Sequence, residues 1–224
     1  LIRAERLAAM GHLVEGVAHE IRNPVMTIGG FARRVRGLNP DKKIHKYMDI
    51  ILEEASRLEK LVTQVRMFLD IQRAHLELDS IIPVIMEVIE KFRGISEQKG
   101  IELRSNLEDL VPPILMDSSQ IAIALSCVLE NAIEATPKGG KIELNVSFDA
   151  QMLKIRVIDT GRGISMDELD SIFDPFFTSK TRGAGLGLTM VHQIVENHHG
   201  EIMIKSTVGK GTEVIITLPL TIER

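Results

Sequence analysis

The chain has 224 residues, of which 44% are hydrophobic and 26% are charged, and its net charge at pH 7 is -4. This length suits one large domain or two small ones, and the slightly acidic charge excludes the basic surface expected of a protein that binds nucleic acid or an anionic membrane. The one cysteine, Cys127, excludes an internal disulfide and indicates a reducing compartment, and sparse aromatic residues disfavour a surface that stacks bases.

The chain offers no candidate for a membrane span or a secretion signal. It has no apolar run approaching the roughly 20 residues that cross a bilayer. It has no initiator methionine, and its amphipathic pattern begins almost at Leu1. We therefore expect a cytoplasmic piece of a longer protein, and the sequence leaves open whether the full-length protein is anchored in a membrane.

The first part of the chain predicts two long amphipathic helices. Apolar side chains recur over residues 7–38 at alternating spacings of three and four, the heptad pattern of a helix packed in a bundle. The first helix is expected from about Ile2 to Gly37, and heptad spacing from Ile44 to Leu69 predicts the second. Because an antiparallel pair cannot bury both apolar stripes alone, the pattern predicts a homodimer whose hairpins form a four-helix bundle.

One histidine lies away from the predicted seam of the first helix. If Leu7 occupies heptad position a, His19 falls at position f, the point furthest from the seam. A histidine buried for structural reasons would lie on the seam, so this position favours an exposed functional group over a core residue. The segment that begins there, residues 19–24 with the sequence HEIRNP, is the first candidate site.

From about Leu76 the pattern becomes mixed α/β. A strand is expected to begin at Gly100, and a capping box at residues 117–120 opens a helix that runs to about Ala135. The other expected elements are helices over residues 82–99 and 186–198 and strands over residues 141–148, 153–159, 201–206 and 213–218. Strands interspersed with helices in this way predict a two-layer α/β sandwich.

This second half carries candidate chemistry in three places. Asp159 opens the sequence DTGRG at a strand end, where a carboxylate can accept a hydrogen bond and glycines let a backbone approach closely; alternatively, the glycines only form a turn with positive φ. The sequence GAGLGL over residues 183–188 can present helix N-terminal N–H groups to phosphates, or can be a flexible hinge. Asn131, in a helix interior, offers an amide oxygen to a hard cation such as Mg²⁺, or is simply an exposed polar residue.

Taken in order, the histidine segment, the helical asparagine, DTGRG, FDPFF at residues 173–177 and GAGLGL resemble the motifs of the sensor histidine kinases of two-component signalling. The resemblance covers nearly the whole chain. It implies a dimerisation and histidine-phosphotransfer domain over residues 1–75 and a catalytic ATP-binding domain over residues 76–224. The implied fold is an all-α helical hairpin followed by a two-layer α/β sandwich of the Bergerat (GHKL) type. The resemblance also implies ATP and Mg²⁺ as cofactors, an upstream sensor region missing from this chain, and a response-regulator receiver domain as partner.

The implied reaction is ATP-dependent autophosphorylation of His19 followed by transfer to an aspartate of the regulator, with phosphatase activity toward the regulator left open. By position, His19 matches the phosphorylated histidine, Glu20 the acid that orients or deprotonates it, and Asn23 the polar residue that helps to hydrolyse the phosphorylated regulator. Asn131 matches the Mg²⁺ ligand, and Asp159 matches the residue that reads adenine. The other matches are Gly161 and Gly163 in the adenine pocket, Gly183, Gly185, Leu186 and Gly187 at the phosphate end of the lid, and Thr178 and Lys180 at the lid entrance.

The residues around His19 suit these roles chemically. Glu20 lies about 100° further around the helix, so its carboxylate can accept the ring N–H and leave the other nitrogen free to attack phosphate. Asn23 shares the face of His19 at i+4 and could position a water. Pro24 removes a hydrogen bond to the Glu20 carbonyl and should bend the helix, which we interpret as a hinge between catalytic states.

Cys127 departs from the family pattern. The family commonly has a second asparagine at this position, four residues before the Mg²⁺ ligand. A neutral thiol is a poor ligand for Mg²⁺. Either Asn131 suffices together with water and phosphate, or Glu130 contributes, or ATP binds weakly.

Other classes of protein explain less of the sequence. An ATPase of the same nucleotide-binding superfamily, such as a gyrase-type or chaperone-type ATPase or an anti-sigma serine kinase, would lack the HEIRNP helix and usually carries a catalytic glutamate in the asparagine helix. A dimeric scaffold with a degenerate ATP site is suggested only by Cys127. A coiled-coil interaction module accounts for residues 1–75 alone.

Overall fold

The structure is a computed structural model, and it describes residues 21, 25–38, 42–71, 73–108, 110–175, 177 and 185–220. These residues form two compact units that divide between Asp70 and Ile71. Among them, no helix is both long and apolar enough to cross a membrane.

The first unit is an antiparallel helical hairpin. Its helices are α1, residues 25–38, and α2, Lys42–Asp70. Arg36 of α1 forms an ion pair with Asp49 of α2 at 2.9 Å, and a Cβ built on Gly29 lies 3.6 Å from the Cβ of Ala55. Residues with higher numbers in α1 therefore contact residues with lower numbers in α2, so the two helices run antiparallel. This confirms the predicted hairpin. The earlier part of the first predicted helix lies outside the described residues.

Two apolar stripes run along α1. Val25 and Ala32 are each only 4% exposed and belong to the stripe that this chain buries itself. Ile28, Phe31 and Val35 are 53%, 65% and 41% exposed. Their spacing of three and four residues places them together on a second face of the helix. These exposed residues belong to the predicted heptad seam, so a single hairpin leaves this part of the seam uncovered.

The second unit is built on a mixed β-sheet. Its strands are β1 (Glu77–Asp79), β2 (Glu102–Leu107), β3 (Ile114–Met116), β4 (Lys141–Phe148), β5 (Met152–Asp159), β6 (Glu201–Thr207) and β7 (Gly211–Pro219). Five of them form one sheet in the order β2-β4-β5-β7-β6, in which β2 and β4 are parallel and the other neighbours are antiparallel. The short strands β1 and β3 form a separate antiparallel pair.

Helices cover one face of this sheet. They are α3 (Ile81–Lys99), α4 (Ser118–Ala135) and α6 (Gly187–Asn197). The four-residue helix α5 (Met166–Leu169) lies in the connection between β5 and α6 and has no buried residue. Alternate residues of the central strands point toward the helices, and Leu144 and Ile155 are 0% and 1% exposed there. On the opposite face Ser147 and Lys154 are exposed, as expected for strands with one buried side. The predicted two-layer α/β sandwich is confirmed.

Helix α4 begins at the cap predicted from the sequence, but only half of the predicted capping box forms. The Asp117 side chain accepts hydrogen bonds from the backbone N–H groups of Ser119 and Gln120, both at 3.1 Å. In a capping box the Gln120 side chain would return to the Asp117 N–H. Instead, Gln120 donates to the Arg73 carbonyl at 2.8 Å, and the Asp117 N–H donates to Nε2 of His198 at 2.9 Å.

His198 connects the end of α6 to the start of α4, and its role was not predicted. Its side chain is 1% exposed, and Nδ1 lies 2.7 Å from the carbonyl oxygen of Ile194. Because Nε2 accepts a hydrogen bond from Asp117, the ring is neutral with its proton on Nδ1, which donates to Ile194. Burial lowers the pKa of His198, which favours this neutral form.

Three short elements were missed in the sequence. Strands β1 and β3 have three residues each and α5 has four, which is too short for a period of two or 3.6 to be recognised. A capping box does open α5, since Ser165 and Glu168 each bind the backbone N–H of the other. That pattern was readable in advance as Ser-x-x-Glu.

Candidate functional site

Asp159, the first candidate residue of the second unit, is fixed at the end of β5. It pairs with Thr212 of β7 in the sheet and is 6% exposed. Its Oδ1 accepts hydrogen bonds from the N–H groups of Gly161 at 2.8 Å and Thr212 at 3.2 Å. The described residues make no hydrogen bond to Oδ2. The carboxylate is therefore held through one oxygen, and the other is left to accept a hydrogen bond from a ligand.

The electrostatic environment of Asp159 is unfavourable for a carboxylate. Burial raises the pKa of Asp159, and the N–H groups of Gly161 and Thr212 offset this only in part. A buried carboxylate with a perturbed pKa and spare hydrogen-bonding capacity is typical of a functional site.

The two glycines after Asp159 are required by close backbone contacts. A Cβ on Gly161 would lie 2.7 Å from the carbonyl oxygen of Ala135, at the end of α4. Gly163 has a φ of +72°, and a Cβ there would collide with the carbonyl oxygen of Thr207. Residues 160–164, the glycine loop, therefore combine a close backbone approach at Gly161 with a positive φ at Gly163. These are the two possibilities that the sequence left open.

The GAGLGL segment leads into the N-terminus of α6. Gly185 has a φ of +67°, Leu186 is 1% exposed, and Gly187 is the first residue of the helix. Among the residues that the structure describes, no side chain caps this end. Its first N–H groups are therefore available to bind an anion.

Helix α4 brings the two halves of the candidate site together. A Cβ built on Gly187 would lie 3.7 Å from Nδ2 of Asn131, so the asparagine amide lies against the start of α6. One turn further along α4, the carbonyl of Ala135 accepts a hydrogen bond from Arg162 in the glycine loop at 3.1 Å. The turn from Asn131 to Ala135 thus connects the α6 terminus with the loop after Asp159.

Comparisons with known proteins identify the family. Residues 9–74 match the model of the His Kinase A (phospho-acceptor) domain, and residues 116–222 match that of the Histidine kinase-, DNA gyrase B-, and HSP90-like ATPase. The chain is 36% identical over 223 residues to the sensor histidine kinase ZraS of Escherichia coli (strain K12), and the match covers 99% of this chain and 48% of ZraS. The chain belongs to the sensor histidine kinase family. It spans about half the length of ZraS.

Solved histidine kinases share this architecture. Full-length ShkA in complex with AMPPNP superposes with a TM-score of 0.78 at 26% identity, covering 95% of this chain and 47% of ShkA. The histidine kinase ThkA in complex with the response regulator TrrA gives a TM-score of 0.72 at 30% identity, covering 98% of this chain and 64% of ThkA. The family expected from the sequence motifs is confirmed, together with its helical and ATPase-type α/β parts.

Several of the predicted site residues lie outside the described residues. They are His19, Glu20, Asn23, Thr178, Lys180 and Gly183. Their assignments stay predictions. Phe173, in the FDPFF sequence that precedes Thr178, contacts α6. Its ring centroid lies 5.1 Å from that of His192, and its carbonyl accepts a hydrogen bond from Thr189 at 3.1 Å.

Cys127, the position at which this chain departs from the family pattern, carries a protonated thiol. Burial, together with the negative charge of Glu130, raises the pKa of Cys127 to about 12. Glu130 itself is exposed. The described part of the chain contains no cluster of three or more histidine, cysteine or acidic side chains suited to a metal ion.

Two residues that contact Asp159 or the glycine loop were missed in the sequence. Thr212 donates its backbone N–H to Asp159, and Ser206 binds the backbone N–H of Ile164 at 2.8 Å. Both lie on the closing hairpin, where they pair with each other across β6 and β7. The sequence showed a glycine turn followed by Thr212. It did not show that Thr212 contacts Asp159, which lies 53 positions earlier.

Proposed function

We propose that this kinase core uses ATP to phosphorylate His19 and then donates the phosphoryl group to an aspartate of a response regulator. The observation that carries the proposal is the continuous site along one turn of α4, where Asn131 meets Gly187 and Ala135 meets the loop after Asp159. The phospho-acceptor match over residues that include His19, and the resemblance to ThkA bound to a response regulator, support the transfer steps.

The adenine of ATP would bind at Asp159. Its Oδ2 can accept a hydrogen bond from the 6-amino group, and the lack of a side chain at Gly161 lets the loop bind Oδ1 while it packs against the carbonyl of Ala135. The 6-oxo group of GTP would instead place two acceptors together, so ATP should be preferred. The phosphates would extend toward the uncapped N-terminus of α6 at Gly187.

Asn131 would hold Mg²⁺ together with water and phosphate oxygens. Its amide oxygen suits a hard cation. The Cys127 thiol, with a pKa of about 12, stays protonated and does not suit one, so the protein contributes few ligands. When bound, the cation neutralises negative charge on the phosphates.

The residues of the first helix would carry out the transfer. A neutral ring nitrogen of His19 attacks the γ-phosphorus, an N–P bond forms, and the bond from that phosphorus to the bridging oxygen breaks to release ADP. Glu20 accepts the proton of the other ring nitrogen. Asn23 positions a water for hydrolysis of the phosphorylated regulator.

We also propose that the hairpin dimerises through the exposed stripe of α1. Ile28, Phe31 and Val35 form an apolar face that is left exposed in the described part of the chain, with the spacing of a bundle seam. A second copy would bury the stripe in a four-helix bundle. A dimer that survives dilution to nanomolar concentration supports this, whereas a monomer at micromolar concentration contradicts it.

Incubation with Mg²⁺ and γ-labelled ATP tests the proposed function. We expect a protein-bound label that is labile in acid and stable in base, because a phosphoramidate bond to histidine hydrolyses in acid. The label should disappear in His19→Ala, while the variant still binds ATP.

Each other outcome identifies a different function. An acid-stable label would indicate a kinase directed at a hydroxyl group. Absence of label in a protein that binds ATP would favour the scaffold with a degenerate site, for which the protonated Cys127 is the supporting observation. A label retained by His19→Ala would show that another residue accepts the phosphoryl group.

Replacement of Cys127 tests the proposed metal shell. Cys127→Asn restores an amide oxygen one turn before Asn131, and we expect Mg²⁺-dependent ATP affinity to rise roughly tenfold, the effect typical of a change close to a bound metal. Cys127→Ala is the matched control, since it removes the thiol without adding a ligand. Titration of ATP with Mg²⁺ and with EDTA measures the effect; an equal change in both media would exclude a metal-based cause.

A further inference from the structure

Ser206 lies at the junction between the closing hairpin and the glycine loop. It is the last but one residue of β6 and pairs with Thr212 of β7. Its Oγ accepts the N–H of Ile164 at 2.8 Å and lies 3.0 Å from the carbonyl oxygen of Gly211 and 2.9 Å from Oγ1 of Thr212. One half-buried hydroxyl therefore contacts three backbone or side-chain groups.

The hydrogen-bonding capacity of Ser206 is fully used by these contacts. A hydroxyl has one donor and two acceptor positions. A carbonyl oxygen can only accept, so the Ser206 O–H donates to Gly211, and its lone pairs accept from the N–H of Ile164 and the O–H of Thr212. All three partners are thereby fixed relative to one another.

Asp159 and Ser206 bridge the same two segments of chain. Asp159 accepts from Gly161 in the glycine loop and from Thr212 at the start of β7. Ser206 binds Ile164 at the other end of that loop and again Thr212. Both residues therefore contact Thr212, Asp159 through its backbone N–H and Ser206 through its hydroxyl.

We propose that Ser206 is a positioning residue for purine recognition, which it assists by holding Thr212 and the glycine loop around the Asp159 carboxylate. The proposal rests on the proposed ATP-binding function. Without the hydroxyl, Ile164 and Thr212 lose a shared partner and the Asp159 carboxylate is less firmly oriented. Ser206 would thus affect the contact to the 6-amino group and leave the phosphate end unchanged.

Two nucleotides separate this role from a general structural one. ATP has the 6-amino group, and purine riboside 5′-triphosphate lacks it but is otherwise the same. For Ser206→Ala we expect the dissociation constant for ATP to rise about fivefold, as for loss of one hydrogen bond. The constant for purine riboside triphosphate should not change, because that nucleotide makes no amino contact with Asp159.

The controls use the same hairpin and the same position. Thr217 donates its hydroxyl to the Glu201 carbonyl at 3.2 Å at the far end of the hairpin, so Thr217→Val removes a comparable bond and should leave both constants unchanged. Ser206→Thr keeps the hydroxyl and should restore ATP affinity. Ser206→Cys, which keeps the volume but is a weak donor, serves if Ser206→Ala fails to fold.

Each result decides one question. An equal loss of affinity for both nucleotides, or no loss for ATP, would overturn the role of Ser206. Failure of the unsubstituted chain to bind ATP would overturn the proposed function instead. A selective loss for ATP that Ser206→Thr reverses would support both.

Discussion

Replacement of Asp159 by asparagine is expected to weaken ATP binding about a hundredfold, the largest effect on the nucleotide that we expect from one side chain. The new amide would be held as the carboxylate is, with its oxygen accepting from Gly161 and Thr212. Its NH₂ group would then face the 6-amino group, donor against donor. Loss of one hydrogen bond to a charged acceptor costs about 1.5–3 kcal/mol, and a hundredfold change corresponds to about 2.7 kcal/mol.

The same substitution is expected to leave the free energy of unfolding at neutral pH unchanged or to raise it. The pKa of Asp159 is raised in the folded state by burial, so the folded protein binds this proton more readily than the unfolded chain does. The resulting stabilisation is present below the ordinary pKa and is lost as pH rises through the raised value. At pH 7 the buried, ionised carboxylate therefore lowers the free energy of unfolding, and a neutral amide at this position does not carry that penalty.

Asp149→Asn is the matched control for both effects. The Oδ1 of Asp149 also accepts two backbone N–H groups, those of Gln151 and Met152, both at 2.9 Å, but this residue is exposed and lies in the turn between β4 and β5. These bonds lower its pKa, so its contribution is present at neutral pH and is lost as pH falls. Asp149→Asn should leave ATP affinity unchanged and lower stability slightly. Unchanged ATP affinity in Asp159→Asn would exclude adenine recognition by that carboxylate.

Much of the fold could be predicted from local sequence. Strand β4 was predicted with its observed bounds, Lys141–Phe148, because its apolar residues alternate strictly with polar ones. Helix α4 was predicted because residues 117–120 have the pattern of a capping box, and Asp117 does cap the helix. Both signals are contained within a few neighbouring residues, so they do not depend on the rest of the fold.

Contacts between distant parts of the chain could not be predicted in this way. His198 accepts from Asp117 across 81 residues, and that contact replaces the expected second half of a capping box. The parallel pairing of β2 with β4 likewise depends on how the intervening helix α4 packs, and no residue of either strand specifies it. Local preference is a weak guide wherever tertiary contacts compete with it.

The candidate site combines both situations. Residue types alone suggested an acceptor at Asp159 and close backbone approach at its glycines, and each had a plain structural alternative. The meeting of Asn131 with Gly187, 56 positions further along, became an expectation only through the family resemblance. The structure explains how Asn131 and the glycine loop belong to one site, since α4 passes beside the start of α6 and ends at the glycine loop.

Gly163→Ala is expected to have the largest effect on stability, because two penalties add at that position. Its φ of +72° costs a residue with a Cβ about 1–2 kcal/mol, and the Cβ would also collide with the Thr207 carbonyl, where overpacking costs about 1–3 kcal/mol. We expect the free energy of unfolding to fall by about 3 kcal/mol, and ATP binding should be lost because the hairpin is displaced from the loop beside Asp159.

Gly209→Ala separates these two penalties. Gly209 has a φ of +77°, and in the described part of the chain no atom beyond its two neighbours lies within 4 Å of a Cβ built there. The free energy of unfolding of Gly209→Ala should therefore fall by only about 1–2 kcal/mol, and the variant should keep its ATP affinity. Chemical denaturation and ATP titration of both variants measure the difference. Equal destabilisation would show that backbone conformation alone requires the glycine at position 163, whereas a larger loss at Gly163 assigns the difference to the packing of the β6–β7 turn against the adenine-reading loop.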